Sequence, residues 1–413
     1  MTPRFAISGV GVAAPTGIGV GAHWKNTLGR RGGLRRIAPE VHGGTGLRVA
    51  GSVPDFRPEE FVSPQIRVQT DRWTWLGMAA AELALADAAL PEPDADRSRL
   101  AVLTAAATGG NEFGQREIHA LWGKGPRAVS VYQSIGWFYA ALCGQTSIRH
   151  GVTGRCGVTV AEGAGGLQAA AAALRLLRRG GADHVLLGAA EAPLSPFALV
   201  CHQHDTLSTG AEPAAAYLPF TRRARGGVLG EGAAMVVVED ADLARRRGAQ
   251  VYAELAAVAS THDAHHPEEP PPDAGRLVAA VRSALDRADV VPSQVDVVFA
   301  DASGDPRWDR LEIEALEAVF GTAAAPPVAV PKTLTGRLNS AGALLDLSWA
   351  ALSLFHDVIP PAADGLDGIP FRGALDVVRT PRRDTGLGTA LVIARGAGGF
   401  NAAAVLHAPG GHR

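Results

Sequence analysis

The stretch "TVAEGAGGLQAAAAALRLLRRGG", residues 159–181, most constrains how this chain can fold. A β-branched strand end, Thr159 and Val160, runs into a tight series of small residues, and an Ala/Leu-rich helix follows at once. An elbow of this kind presents one side chain at a helix N-terminus, where the backbone dipole favours a developing negative charge. That is the setting of a nucleophile, yet the stretch contains no Ser, Cys or Lys. A second run, "NSAGALLDLSWAALSLFHDVIPP" (339–361), repeats the small-residue turn and apolar helix.

The remaining apolar runs fit the same plan. Residues 4–12, 99–110, 184–192, 295–304 and 389–407 read as buried strands, the last as two strands around a Gly-rich turn. Residues 230–248 read as a strand followed by a charged helix, and 78–90 and 275–290 as helices. The polar, Pro-rich segment 261–275 reads as a surface loop. Strands alternating with helices imply an α/β protein whose parallel or mixed sheets are covered by helices. The order strand, elbow, helix, strand occurs twice. It predicts two similar βαβαβ-type halves, 1–250 and 251–413, sharing one core.

Composition removes several classes of function. With 413 residues, 47% hydrophobic and 19% charged, the chain has material for a large core. A net charge of −2 gives no reason to expect nucleic acid or an anionic membrane as partner. No run of roughly 18 apolar residues offers a membrane span, and the N-terminal segment reads as a buried strand and turn, not a signal peptide. Cys143, Cys156 and Cys201 form no CxxC pair or zinc pattern, as suits a reducing cytoplasm, the expected location. Cys143 and Cys156 read as small buried hydrophobes. Cys201 could act as a nucleophile only with a base beside it. "HDAHH" (262–266) has loose spacing and no evident carboxylate or Cys partner, so no metal is expected. "RRARGG" (222–227) is a solvated loop or a contact for an acidic protein, and the aromatics of "YQSIGWFYA" (132–140) are core or interface.

Three blocks, "ISGVGVAAPTGIG", "AYLPFTRRARGGVLGEGAAMVVVED" and "ARGAGGFNAAAVL", resemble the β-ketoacyl synthases of the thiolase fold. Residues 125–151, 296–316 and 330–347 resemble more closely the chain length factor, or ketosynthase beta, of bacterial type II polyketide synthases. The resemblance runs from about residue 4 to 407. It implies a five-layered α-β-α-β-α core. A catalytic ketosynthase carries Cys at the elbow in a C-T-S-G-L-D pattern; here Gly163 stands at that position, ahead of Gly166, Leu167 and Gln168. The family's first His, in A-H-G-S-G, corresponds to Asp301, and its second, in K-S-x-x-G-H, to Arg337, while Lys332 is retained.

Condensation needs a thiolate to hold the acyl chain and imidazoles to stabilise enolate and oxyanion. Gly163 offers no covalent chemistry, Asp301 has the wrong sign of charge, and Arg337 does not exchange protons near neutral pH. This chain should therefore lack the Cys-His-His set and should not condense alone. Lys332 reads as an ion-pair residue. The usual residue of the beta subunits at the elbow is Gln, proposed to help priming; Gly163 departs from it, and Glu162 precedes it.

The resemblance implies the role of a non-condensing partner in a heterodimer with a catalytic ketosynthase alpha subunit. Such a partner shapes an interface tunnel and sets polyketide length. No cofactor is expected, because substrates arrive on the phosphopantetheine of an acyl carrier protein. The gating segment corresponds to 108–122, within the tunnel and interface segment 108–151. There Asn111, Gly114 and Ile118 share one helical face, with Phe113 as a candidate neighbour on the same wall. Small groups at these positions lengthen the cavity and favour a decaketide or larger aromatic poly-β-ketone. In the thiolase fold Tyr132, Trp137, Phe138 and Tyr139 fall at the subunit boundary. Two other readings stay open: a chain length factor of a highly reducing polyene system, and a free-standing thiolase-fold acyltransferase or hydrolase, for which the elbow offers only Thr159 and Glu162.

Overall fold

The computed structural model describes residues 4–38, 41, 44–90, 97–202, 206–322 and 325–410. Among the described residues the first half supplies six strands to the main sheet: β1 (Phe5–Ala14), with the two-residue strand Gly17–Ile18 paired on it, β2 (Leu100–Ala105), β3 (Cys156–Thr159), β4 (His184–Glu191) and β5 (Gly232–Asp240). The second half supplies β6 (Ala253–His262), β7 (Val297–Phe299), β8 (Val328–Ala329), β9 (Thr389–Gly396) and β10 (Phe400–His407). Their spatial order is β8-β7-β9-β10-β6-β1-β5-β4-β2-β3. Each half thus repeats one pattern: three parallel strands, then two added antiparallel. The halves join through a short pairing of Ala6 and Ile7 with Glu254 and Ala253.

Helices cover both sheet halves and separate them. α1 (Arg72–Asp87) lies on β1, β5 and β4, and α2 (Asn111–Lys124) follows β2. α3 (Ala141–Arg149) leads into β3, and α4 (Gly165–Arg178) follows the elbow. In the second half α5 (Gly275–Ala288) covers β6 and β10 and packs on α6 (Pro306–Phe320). α7 (Asn339–His356) is the counterpart of α4, and the two pack against each other as the central layer. Their close approach explains the small residues of both runs: a Cβ on Gly166 would collide with Leu344 and the carbonyl of Ser340. Fourteen of the residues of α7 are buried, as a helix enclosed between the two halves of the sheet requires.

Some expected boundaries move. The helix read at 78–90 begins at Arg72, because the Asp71 side chain accepts the Trp73 N–H as a cap and Trp73 and Leu76 already face the core. Cys143 is buried as expected. Cys156 is not: it lies exposed on β3 at the sheet edge, with its sulfur paired to that of Cys143 as a disulfide. The sequence offers no sign of this, since the separation of 13 residues takes in most of α3 and its return to the sheet.

Candidate functional site

The elbow forms as its sequence requires. β3 ends at Thr159, a short 3-10 turn spans Glu162–Ala164, and α4 begins at Gly165. The non-glycine residue at the bend is Glu162, with φ at +45°, a left-handed conformation costly to a side-chain-bearing residue. Its carboxylate accepts the Ala397 N–H at 2.7 Å. At Gly163 a Cβ would run into the carbonyl oxygen of Arg395, at the end of β9. The middle of the elbow is therefore closed by backbone as well as lacking a side chain.

Asp301, Lys332 and Arg337 meet beside it. Arg337 donates to both carboxylate oxygens of Asp301, each at 3.1 Å, and to its carbonyl at 2.7 Å. Lys332 Nζ donates to the same carbonyl at 3.0 Å and forms an ion pair with Asp346 at 2.6 Å. The Arg395 N–H adds a bond to Asp301 Oδ1 at 3.0 Å. Burial opposes the charge on Asp301, but Arg337 and Lys332 outweigh it and hold the carboxyl below its ordinary range. Burial drives the opposite outcome at Asp346, which is pushed up to about 6 despite Lys332. At this point the site holds a fixed carboxylate–guanidinium pair, Asp301 and Arg337.

The loop carrying Asp301 is held by α6. Glu312 accepts the backbone N–H groups of Asp301 and Ala302 at 2.7 and 2.8 Å, and Asp309 accepts those of Gly304 and Phe220 at 2.8 and 2.6 Å. These bonds fix Ala302 at φ +50°. Both carboxyls are pushed up to about 7, first by burial and then, in part, by the charge of Asp301.

Sequence reasoning missed Arg395, Trp308 and Asn339. The Arg395 guanidinium stacks on Trp308 at 4.5 Å, bonds Asn401 Oδ1 through Nε at 3.2 Å, and faces Asp263 at 3.6 Å. A lone Arg in a Gly-rich hairpin carries no signal for such a contact, which depends on three elements meeting. A cavity of about 200 Å3 lies among Glu162, Asp301, Trp308, Arg337, Asn339 and Arg395. A smaller one, about 20 Å3, lies among Gly163, Lys332, Gly342 and Trp349, room for one water.

The segment 108–151 lies apart from these cavities. Asn111 is half-buried and Ile118 is 42% exposed on α2. Gly114 is buried, yet a Cβ there would meet nothing within 4 Å. Phe113 is 1% exposed; it packs against Gly136 and under Arg116, inside the fold. Trp137 and Phe138 are exposed and edge-on to each other at 6.5 Å, while Tyr132 and Tyr139 are half-buried. Trp122, Val131, Val158, Val160 and Phe197 are exposed apolar side chains as well.

Of the other candidates, Arg222, Arg223 and Arg225 are exposed, and Arg225 bonds carbonyls of its own loop. His262 and His266 accept N–H groups of their own turns, and no cluster suited to a metal occurs among the described residues. No helix of the described residues is long and apolar enough to cross a membrane. Cys201 is exposed.

Comparison with known proteins places this geometry. Residues 2–244 match the N-terminal domain of the beta-ketoacyl synthase family and residues 252–365 its C-terminal domain. The chain belongs to the β-ketoacyl synthase family. Within that family it is 47% identical over 410 residues, 98% of each chain, to the tetracenomycin polyketide synthase ketoacyl synthase beta subunit of Streptomyces glaucescens. It is 44% identical, over 97% of each chain, to the actinorhodin polyketide putative beta-ketoacyl synthase 2 of Streptomyces coelicolor. Identity to the tetracenomycin alpha subunit is lower, 33% over 98% of this chain and 97% of that one. The ishigamide ketosynthase/chain length factor shares its thiolase-like fold, with a TM-score of 0.89 over 99% of this chain and all of that one at 24% identity. A type II ketosynthase solved with its acyl carrier protein gives a TM-score of 0.86 at 26% identity, over 99% of this chain and all of that one.

Proposed function

We propose that this chain is the non-condensing beta subunit of a type II polyketide ketosynthase, paired with a catalytic alpha subunit and setting the length of the product. The observation that carries this reading is the closed elbow: a ketosynthase scaffold whose nucleophile position is filled by the Arg395 carbonyl and whose imidazole positions hold the Asp301–Arg337 pair. The full-length similarity to beta subunits, greater than that to an alpha subunit, supports it. The unit of function is the heterodimer, with malonyl and acyl groups delivered by an acyl carrier protein and no cofactor held by this chain. The two ketosynthase-like halves divide at 250/251.

The wall that sets length is α2. Asn111, Gly114 and Ile118 line it and Phe113 backs it from inside, while Tyr132, Trp137, Phe138 and Tyr139 meet the partner. The space beside Gly114 supports a long product, a decaketide or larger. The test is reconstitution with malonyl-carrier protein, first of this chain alone and then with a type II ketosynthase alpha subunit, reading product masses. Polyketides of about twenty carbons or more from the mixture only are expected. Condensation or acyl hydrolysis by the chain alone would overturn the partner reading, and a mainly sixteen-carbon product the long-tunnel one.

A further inference from the structure

The inner side of α2 buries a carboxylate. Phe113 and Glu117, one turn apart, both lie there, and Glu117 is 7% exposed. A buried carboxylate is costly unless its oxygens are bonded. Here Oε2 accepts the Ser130 N–H at 2.6 Å. Oε1 faces Arg116 at 3.6 Å, beyond hydrogen-bond distance, and the Arg116 guanidinium lies over the Phe113 ring. The bond of Glu117 that is made in full is therefore the one to Ser130.

That bond joins two segments with different tasks. Residues 125–138 return along α2 in antiparallel order: Ser130 meets Glu117, Gly136 packs on the Phe113 ring, and the Trp137 carbonyl accepts the Gly110 N–H at 3.2 Å. A Cβ on Gly136 would run into the Phe113 ring, and one on Gly110 into the Gly136 carbonyl, so that end of the contact has no slack. Asp71 secures the same end from the core by accepting the Phe113 N–H at 2.6 Å. Glu117 is the tie one turn further along. The return segment carries Tyr132, Trp137 and Phe138, whereas α2 carries Asn111, Gly114 and Ile118 on a face turned away from Phe113 and Glu117.

We propose that Glu117 is a positioning residue for product length: its carboxylate fixes α2 against residues 125–138, so that the surface offered to the partner and the wall offered to the product form one body. This role rests on the reading of α2 as the wall that sets length. Without the tie, α2 keeps its first turn in place and loses its register further along, and the end of the tunnel is no longer at one fixed depth.

The test uses the heterodimer reconstituted with a type II ketosynthase alpha subunit and malonyl-carrier protein, and reads the ratio of off-length to main product per assembled pair. Glu117→Leu keeps the volume and the helix and removes the acceptor, whereas Glu117→Gln keeps a carbonyl oxygen for the Ser130 N–H. Ser130→Pro deletes the donor instead; Val129 before it is already extended, at φ −74° and ψ 130°, as a residue preceding Pro must be. The ratio is expected to rise about tenfold in Glu117→Leu and in Ser130→Pro, and to stay within about twofold of wild type in Glu117→Gln. A merely structural role would reduce the amount of assembled pair and leave the ratio unchanged, and that result overturns the proposal. So does a ratio disturbed equally in Glu117→Leu and Glu117→Gln. Gly114→Phe separates the two levels: shorter products from it, with Glu117→Leu and Ser130→Pro silent, strike the positioning role alone, while unchanged products from it strike the wall and the positioning role together.

Discussion

A cysteine at position 163 would place its Cβ against the Arg395 carbonyl, so the elbow would have to move before any thiol could point into the site. Gly163→Cys is therefore expected to lose about 1–3 kcal/mol of stability by overpacking. It is also expected to form no acyl-enzyme and no condensation product. Chemical denaturation and intact-mass analysis after incubation with an acyl thioester check both halves. Stable acylation of the introduced thiol, with condensation, would mean that the strand end yields and that the site is only one residue from activity. That the middle of the elbow carries no side chain is legible in the sequence, because Gly163 stands between Glu162 and Ala164. The closure is not, because it is made by a carbonyl, and backbone oxygens carry no sequence signal. Arg395 and Asn339 escaped for a related reason: each is ordinary in its own segment and becomes unusual only where β9, α7 and the loop of Asp301 converge.

Among the elements, α6 shows how the loop geometry is tied to protonation. Asp309 and Glu312 lie on it and clamp residues 301–304, and both carboxyls titrate near 7 in the fold. Asp71, which caps α1 and accepts the Phe113 N–H of α2, is likewise raised by burial to about 7. Across the interval from the ordinary carboxyl range to about 7, these three carboxyls bind more protons in the folded chain than in the unfolded one, so their contribution falls as pH rises through that interval; His23, pushed down by burial to about 3, opposes them only below its ordinary range. Burial opposes the charge on Glu239, but His184, Arg247 and Ser8 hold its carboxyl down at about 2. It therefore acts only at lower pH, where its contribution is lost on acidification. The melting temperature is expected to be higher near about pH 5.5 than near about pH 8, with the difference reduced in Asp309→Asn. A melting temperature that rises over this range would contradict the assignment.

The proposed control of product length is tested at the same scale. A Cβ at position 114 would meet nothing within 4 Å, so a larger side chain there can leave α2 without an initial clash. Gly114→Phe is expected to preserve folding, since a helix-interior Gly is itself less favourable than other residues by about 0.5–1 kcal/mol, and to shorten the products of the reconstituted pair. Unchanged product masses would remove α2 from the tunnel wall. The stripe Asn111, Gly114, Ile118 was visible from helical spacing alone. The inward packing of Phe113 was not, because it depends on Gly136 in a later turn.

Considered whole, the molecule has two edges of unequal character. The repeated strand order makes β3 and β8 equivalent ends of one sheet, a symmetry the sequence suggests through its two elbows and the topology makes explicit. β8 is covered: Val328 donates to the Asp376 carbonyl and accepts from the Val378 N–H. Among the described residues no strand pairs with the outer side of β3, where Val158 and Val160 are exposed; Trp122, Val131, Trp137 and Phe138 are exposed in the segments that precede β3 in the chain. An open edge flanked by apolar side chains is a liability for an isolated chain and an asset for one that is normally paired. Exposed aromatics near the centre of such a face carry much of the binding energy. Trp137, 44% exposed, is the natural anchor. Trp137→Ala is expected to weaken association with the ketosynthase by about 2 kcal/mol, roughly thirtyfold. Phe355 is similarly exposed but packs with Tyr252 and His356 away from this face, so Phe355→Ala should leave association unchanged. Sedimentation of the mixed subunits separates the two. Equal affinities for both variants would detach the partner from the β3 face, and the apolar residues around Trp137 would then need another occupant.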